Sequence, residues 1–403
     1  MASKIKVDEL ETVSGSGNIV LNNPLSGSGA SLTNLPAGNL TGSLPAIDGN
    51  ALVGVSPRNF IIDGAHTQWP EGTGATAFSD DYQAGGHPLF IHYNITGTGT
   101  LTTERSTDVP TVSASGYQSK YSQLIKCTGT DAVPDTSTQV SMRYHMTGTD
   151  FAHLHQQEIT VSFWAKTSAQ NSGHKYFWTL INSGNNRTYS HSFSPTSTWA
   201  KFSHTLTLDT SGTWLFTEAD VGMKFQINLA IGPEYDDATE DTWTAGFELH
   251  DGTMSNFTDH TSNEFYFTQI QIVKGSSSPD FTSPPIATVK DQVRYYVEEK
   301  LQGDADQFIG AGLFISTTVL RVPVHYVRKR VTPTITNQGT GTNYAIVWQG
   351  HENNATNTFT ISNVGPTCCD LRMTISGATT TQGYAGIQRS NNASAFVLID
   401  ARH

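Results

Sequence analysis

The stretch Ile159-Thr160-Val161-Ser162-Phe163-Trp164-Ala165-Lys166 decides how this chain is read. Val161, Phe163 and Ala165 alternate with Thr160, Ser162 and Trp164, the period of two expected of a strand with two unlike faces. Outward from it, short apolar and aromatic runs recur between residues 59 and 281, separated by clusters of Gly, Asn, Asp, Ser and Pro. Strands are predicted over 60–62, 89–95, 121–127, 139–145, 159–166, 176–181, 199–208, 224–231, 244–250 and 265–273. Many short strands with turn residues between them are the pattern of an antiparallel sandwich or jelly roll.

Composition agrees. Only 14% of the 403 residues are charged and 36 are glycine, unlike an ordinary cytoplasmic enzyme, while 36% hydrophobic residues suffice for a real core. Acids outnumber bases 35 to 23, a net charge of -12, which excludes nucleic acid as a partner because phosphates need Lys and Arg to neutralise them. No early stretch joins a basic start to an apolar run, and no apolar run approaches the ~20 residues that span a bilayer. The expectation is a soluble protein without membrane insertion, made in a reducing cytoplasm without Sec export. Cys127, Cys368 and Cys369 fit that compartment, since adjacent cysteines rarely pair and one thiol would be left over.

On either side of the predicted sandwich the pattern changes. In residues 15–55, Leu35-Pro36-Ala37-Gly38-Asn39-Leu40 is echoed by Leu44-Pro45-Ala46-Ile47-Asp48-Gly49, and Pro and Gly prevent a helix. One copy cannot bury the recurring leucines, whereas identical copies wound about an axis can, so residues 1–57 are expected to form a trimeric stalk; a flexible Gly/Ser linker is the alternative. The amphipathic lead Lys4-Ile5-Lys6-Val7-Asp8-Glu9-Leu10 is read as an attachment point. After Pro284-Pro285, residues Ile286, Val289, Val293, Tyr296 and Leu301 recur at helical spacing, predicting a short helix within a linker over 282–310. Alternation returns in 311–403, as in Val319-Leu320-Arg321-Val322, predicting a C-terminal β-sandwich as the tip. The expected architecture is therefore all-β: stalk, central jelly roll over 58–281, helical linker and C-terminal sandwich.

Chemistry is sparse. A polysaccharide depolymerase needs two suitably spaced carboxylates, but the densest acids, Asp236-Asp237 and Glu240-Asp241, lie in a polar loop, and the repeated coils of a long parallel β-helix are absent; no catalytic residue is assigned. Residues 234–241 also lack the ligand spacing of a calcium loop. His153-Leu154-His155 reads as ordinary loop histidines, so neither a metal nor a cofactor is assigned. Sugar binding uses rings stacked on pyranose faces. Of seven tryptophans, Trp214 and Trp243, beside polar loops, and Trp348, beside Gln349-Gly350-His351, are the candidate ligand-binding rings.

Several phrases resemble those of bacteriophage tail fibre and tail proteins that carry a jelly-roll, carbohydrate-binding-like module. They are Asn59-Phe60-Ile61-Ile62-Asp63-Gly64 followed by Trp69-Pro70-Glu71-Gly72, Val161 to Lys166, Thr198-Trp199-Ala200-Lys201-Phe202, Gly232, and Lys274-Gly275-Ser276-Ser277-Ser278-Pro279-Asp280-Phe281. Arg294-Tyr295-Tyr296 and Phe396-Val397-Leu398-Ile399-Asp400-Ala401 are similar to the opening and last strand of such fibres' C-terminal domains. The Asp-Arg-Trp phrase usual after the first turn is not evident around Ser79-Asp80-Asp81-Tyr82. The resemblance implies a homotrimer in the virion tail, gripped through its N-terminus by tail or adaptor proteins and engaging a bacterial surface polysaccharide or receptor. A purely architectural fibre and a tailspike depolymerase are the alternatives.

Overall fold

A computed structural model describes residues 58–300, 306–338, 343–353, 356–391 and 395–402; the expected stalk and attachment segment, and Leu301, lie outside them. The described chain is almost entirely β. Twelve strands between Thr76 and Lys274 form two six-stranded antiparallel sheets. The first runs, edge to edge, Thr76–Ala77, Thr100–Ser106, Ser122–Gly129, Glu264–Lys274, Glu158–Thr167, Ala200–Thr207; the second runs Trp243–Ala245, Arg187–Phe193, Tyr176–Asn182, Val221–Ile231, Gln139–Thr147, Phe90–Ile95. This is the jelly roll that the alternation implied.

The 159–166 pattern explains the layering. Ile159, Val161, Phe163 and Ala165 point into a core shared with Trp178, Leu180, Phe225 and Ile227 of the second sheet. The polar face of the strand is buried as well. Thr160 donates to, or accepts from, the Thr205 hydroxyl at 2.8 Å and reaches the Gly275 carbonyl, while Gln271 bridges Ser162 and the Pro279 carbonyl. Residues 275–281 thus cover the outer face through hydrogen bonds, so Thr and Ser there have protein partners in place of water.

Several strands depart from expectation: Thr76–Ala77, Thr100–Ser106 and Arg187–Phe193 were not predicted, and the strand expected over 244–250 is confined to Trp243–Ala245. Residues 60–62 form a bend, in which the Asn59 amide donates to the Ile270 carbonyl and its oxygen accepts from the Ile272 N–H. The Phe60 N–H also donates to the Ile272 carbonyl and the Ile270 N–H to the Gly64 carbonyl, each at 2.9 Å, so side-chain and backbone bonds together tie this bend to Glu264–Lys274. Arg187–Phe193 is a strand although its sequence looked polar, because Tyr189 and Phe193 face the core between outward Thr188, Ser190 and Ser192.

The helix Ile286–Tyr296 follows Pro285 and buries Val289, Val293 and Tyr296 of the predicted stripe, whereas Ile286 at its start is exposed. Beyond it a three-stranded sheet, in the order Val297–Glu299, Phe396–Asp400, Thr334–Gln338, shares a second core with a seven-stranded sheet that contains Phe308–Phe314, Val319–His325, Tyr344–Trp348 and Cys368–Ile375. Val297–Glu299, expected within the linker, therefore contributes a strand. The outer face of the larger sheet leaves Leu313 and Ile387 exposed at 56% and 40%, next to exposed Ala311 and Ala385.

The two β-regions are pinned by buried arginines. The Arg402 guanidinium, 4% exposed, donates to Glu71 at 2.5 Å, to the Pro88 carbonyl at 2.8 Å and to Asp400, and lies 4.0 Å over the Tyr82 ring. A buried charge survives only when so fully paired. Arg402→Met should therefore cost about 3–5 kcal/mol, because Glu71 and Asp400 would stay buried without their cation. Urea denaturation of the variant checks this; a loss well under 1 kcal/mol would show that the pairing does not anchor the C-terminus.

Buried histidines set a second expectation. His92 is fully buried and accepts at Nε2 from the Gln123 amide at 2.6 Å, a contact open only to the neutral ring. Burial, then repulsion from His87, pushes its pKa down to about 3, and burial depresses His66 well below its usual value too. The unfolded chain takes up these protons near 6.5 while the folded chain refuses them, so the contribution of His92 is complete above 6.5 and lost as the pH falls toward about 3, with His66 acting in the same direction. The denaturation midpoint should drop steeply from pH 6.5 to 4, and His92→Gln should flatten that slope; an unchanged slope contradicts the assignment.

Candidate functional site

At one side of the sandwich both sheets end and the shared core runs out. The bordering strands are Ala200–Thr207 in the first sheet and Arg187–Phe193 with Trp243–Ala245 in the second. Period-two register carries Phe202, His204 and Leu206 inward from one sheet and Tyr189, His191 and Phe193 from the other. With no further strand to cover them, Phe202, His191 and His204 remain half-buried. His191 and His204 stack at 3.9 Å over the buried Trp178, whose ring lies 5.4 and 5.9 Å from them.

A band of rings continues outward from this pair. Tyr189 meets Trp243 at 5.6 Å, and Trp243 meets Trp214 edge-on at 5.8 Å. Trp214 stacks on buried Phe151 at 4.9 Å, and Phe216 lies 6.0 Å from the same ring. Both indole N–H groups donate to backbone carbonyls, Trp214 to Ser211 at 2.7 Å and Trp243 to Thr207 at 2.9 Å, which fixes the planes of two half-buried rings packed against the core. The carrier loop is held at both ends. Arg187 joins Asp209 at 2.5 Å and the Trp243 carbonyl at 3.1 Å, while Arg330 from the C-terminal region donates to the Glu218 and Ala219 carbonyls. Gly148 permits the loop to fold back, since a Cβ there would meet the Thr217 oxygen at 2.6 Å. Leu215 and Phe216 are 41% and 42% exposed.

Polar groups border the band. Asp241 Oδ1 lies 2.6 Å from His191 Nδ1 and 3.5 Å from His204 Nε2, and the Tyr189 hydroxyl is 2.8 Å from that same nitrogen. Burial, then repulsion from His191, lowers the His204 pKa against the opposing pull of Asp241 and Glu240. Glu240 is tied to the Ser192 N–H at 2.9 Å and to Lys175 at 3.4 Å; burial would raise its carboxyl, but the Ser192 and Lys175 donors outweigh that and hold it below its usual value. Lys175 also reaches Asp251 at 3.0 Å. The acidic loop is thus partly engaged.

The structure brings Trp214 and Trp243 together on one half-buried band. Trp348 is elsewhere: at 5% exposure it packs on Phe314 in the distal core, 5.7 Å between rings, while the Gln349-Gly350 turn beside it carries the polarity. Sequence reading missed His191, His204 and Asp241. The one available clue is Tyr189-Ser190-His191-Ser192-Phe193, whose alternation places His191 in line with two core aromatics. Asp241 comes from a separate loop, which no local pattern connects to that strand.

No family model matches this sequence, and no curated protein matches it. Among solved structures, the chain is similar over 54% of its length to TmCBM61 in complex with beta-1,4-galactotriose, at 10% identity, 99% coverage of that chain and a TM-score of 0.27. It is similar over 54% to a putative sugar binding protein from Bacteroides thetaiotaomicron, at 9% identity, 100% coverage and a TM-score of 0.31. It is also similar over 54% to the enzymatically active domain of bacteriophage CBA120 tailspike protein 4, at 8% identity, covering 21% of that chain, with a TM-score of 0.28.

Because Asp241 favours the charged imidazole and His191 opposes it, Asp241→Asn should move the His204 titration to lower pH. Histidine NMR across the pH range reads this directly; a shift to higher pH contradicts the assigned contacts.

Proposed function

We propose that this chain is a receptor-engaging tail fibre of a bacteriophage, located in the virion tail, and that its sandwich binds polysaccharide on the bacterial surface through the Trp214–Trp243 band. The observation that carries the binding reading is that two half-buried indoles, fixed by their own N–H bonds, meet each other at the edge of the core beside carboxylates and imidazoles. That combination suits a pyranose, whose C–H face stacks on rings while its hydroxyls seek polar partners. The phage reading rests on the resembling phrases along the chain, with residues 1–57 proposed as stalk and tail attachment. The exposed Leu313 and Ile387 face adds support for assembly into a homotrimer. Binding, not catalysis, is the proposed activity. Several copies on one virion make weak individual sites sufficient.

The test is binding of the full chain to a panel of bacterial surface polysaccharides, with sedimentation mass measured in parallel. Each stacked ring contributes ~0.5–1.5 kcal/mol, so W214A/W243A should weaken binding about tenfold or more with an unchanged circular dichroism spectrum. Undiminished binding by the variant removes the band as the site. No binding by the trimeric wild-type chain favours the architectural alternative, release of reducing ends the depolymerase, and a monomeric mass removes the fibre.

A further inference from the structure

We propose that His191, His204 and Asp241 form a binding site for a divalent transition metal ion, which would tie the edges of the two sheets together. These side chains border the aromatic band, but metal uptake is measured without sugar, so its failure and the failure of the carbohydrate reading are distinguishable.

The three residues come from different places: His191 from Arg187–Phe193 in one sheet, His204 from Ala200–Thr207 in the other, Asp241 from the loop before Trp243–Ala245. One ligand atom from each lies within 4.8 Å of the others, and among the described residues this is the cluster of three such donors. A tetrahedral ion bonded at about 2.0–2.1 Å to nitrogen or oxygen separates its ligand atoms by roughly 3.3 Å. The 3.5 Å from Asp241 Oδ1 to His204 Nε2 already matches, and the 2.6 Å to His191 Nδ1 needs to open by only a fraction of an ångström.

Two further features distinguish the cluster from a chance surface pair. Both imidazole nitrogens converge on the same carboxylate oxygen, Oδ1, with the Tyr189 hydroxyl supplying another oxygen 2.8 Å from His204 Nε2. Asp241 is also held in a left-handed backbone conformation, φ 61°, which residues with side chains adopt rarely; its N–H donates to the Ser190 carbonyl at 3.0 Å. Two imidazoles and one carboxylate suit zinc, cobalt, nickel or copper, whereas calcium and magnesium prefer all-oxygen sites. With Asp241 half-exposed, an entry path from solvent exists.

The experiment titrates tag-free full-length chain with Co²⁺ and then Zn²⁺. One Co²⁺ per chain should bind with a visible ligand-field band that Zn²⁺ displaces, and saturation should raise the melting temperature. H191Q/H204Q should abolish this, D241N should weaken it about tenfold or more, and H153Q/H155Q should leave it intact as a control among the 14 histidines. In the unmodified chain the His191 and His204 ring resonances should shift during the Zn²⁺ titration, which keeps the test decisive even where a variant folds poorly. Absence of uptake by the folded chain, undiminished uptake by H191Q/H204Q, or uptake that leaves those resonances unmoved each overturns the proposal.

Discussion

The burial of one apolar layer between two six-stranded sheets is the constraint on which the rest of the sandwich depends. Phe163, Trp178, Phe225 and Phe265 fill that layer, and truncating such a ring removes both its transfer free energy and its packing, typically about 3–5 kcal/mol. Every strand then has to place alternate residues inward. Outward polar residues are in turn sealed by chain segments that hydrogen-bond to them, as residues 275–281 do over Thr160 and Ser162. Where the sheets stop, the same alternation still aims side chains inward but nothing covers them. The aromatic band and the histidine pair are therefore the unfinished edge of the core.

Much of the fold was legible because alternation is a local property. Residues 159–166 and 176–181 became strands, and the helical spacing of Val289, Val293 and Tyr296 became the buried face of a helix. Legibility failed where bonding was not local. Residues 60–62 are apolar enough for a strand, yet Asn59 fixes them as a bend against Ile270 and Ile272, more than two hundred residues away in sequence. The strand Arg187–Phe193 was hidden by serine, threonine and histidine, which are as compatible with a loop as with the rim of a sheet.

The candidate site was half legible for the same reason. Trp214 and Trp243 could be chosen from their polar neighbours, but their mutual contact follows from loop closure over Gly148 and from the Arg187 and Arg330 bonds. Trp348 shows the opposite outcome: polar neighbours in sequence reflect a turn with left-handed Gln349 and Gly350, while the ring itself turns into the distal core. Sequence proximity to polar residues reports the course of the backbone, not the direction of a ring. Arg402 could not have been anticipated either, since its partner Glu71 lies 331 residues away in sequence.

The central claim, that rings at the edge of the sandwich core are a sugar platform, is tested most directly by a crystal structure of the full chain soaked with an oligosaccharide from a polysaccharide that it binds. The account predicts a pyranose lying flat on Trp214 or Trp243, with a hydroxyl within hydrogen-bond reach of Glu240, Asp241 or His191. A bound sugar on the distal domain or over an outer sheet face, with the band bare, would contradict it.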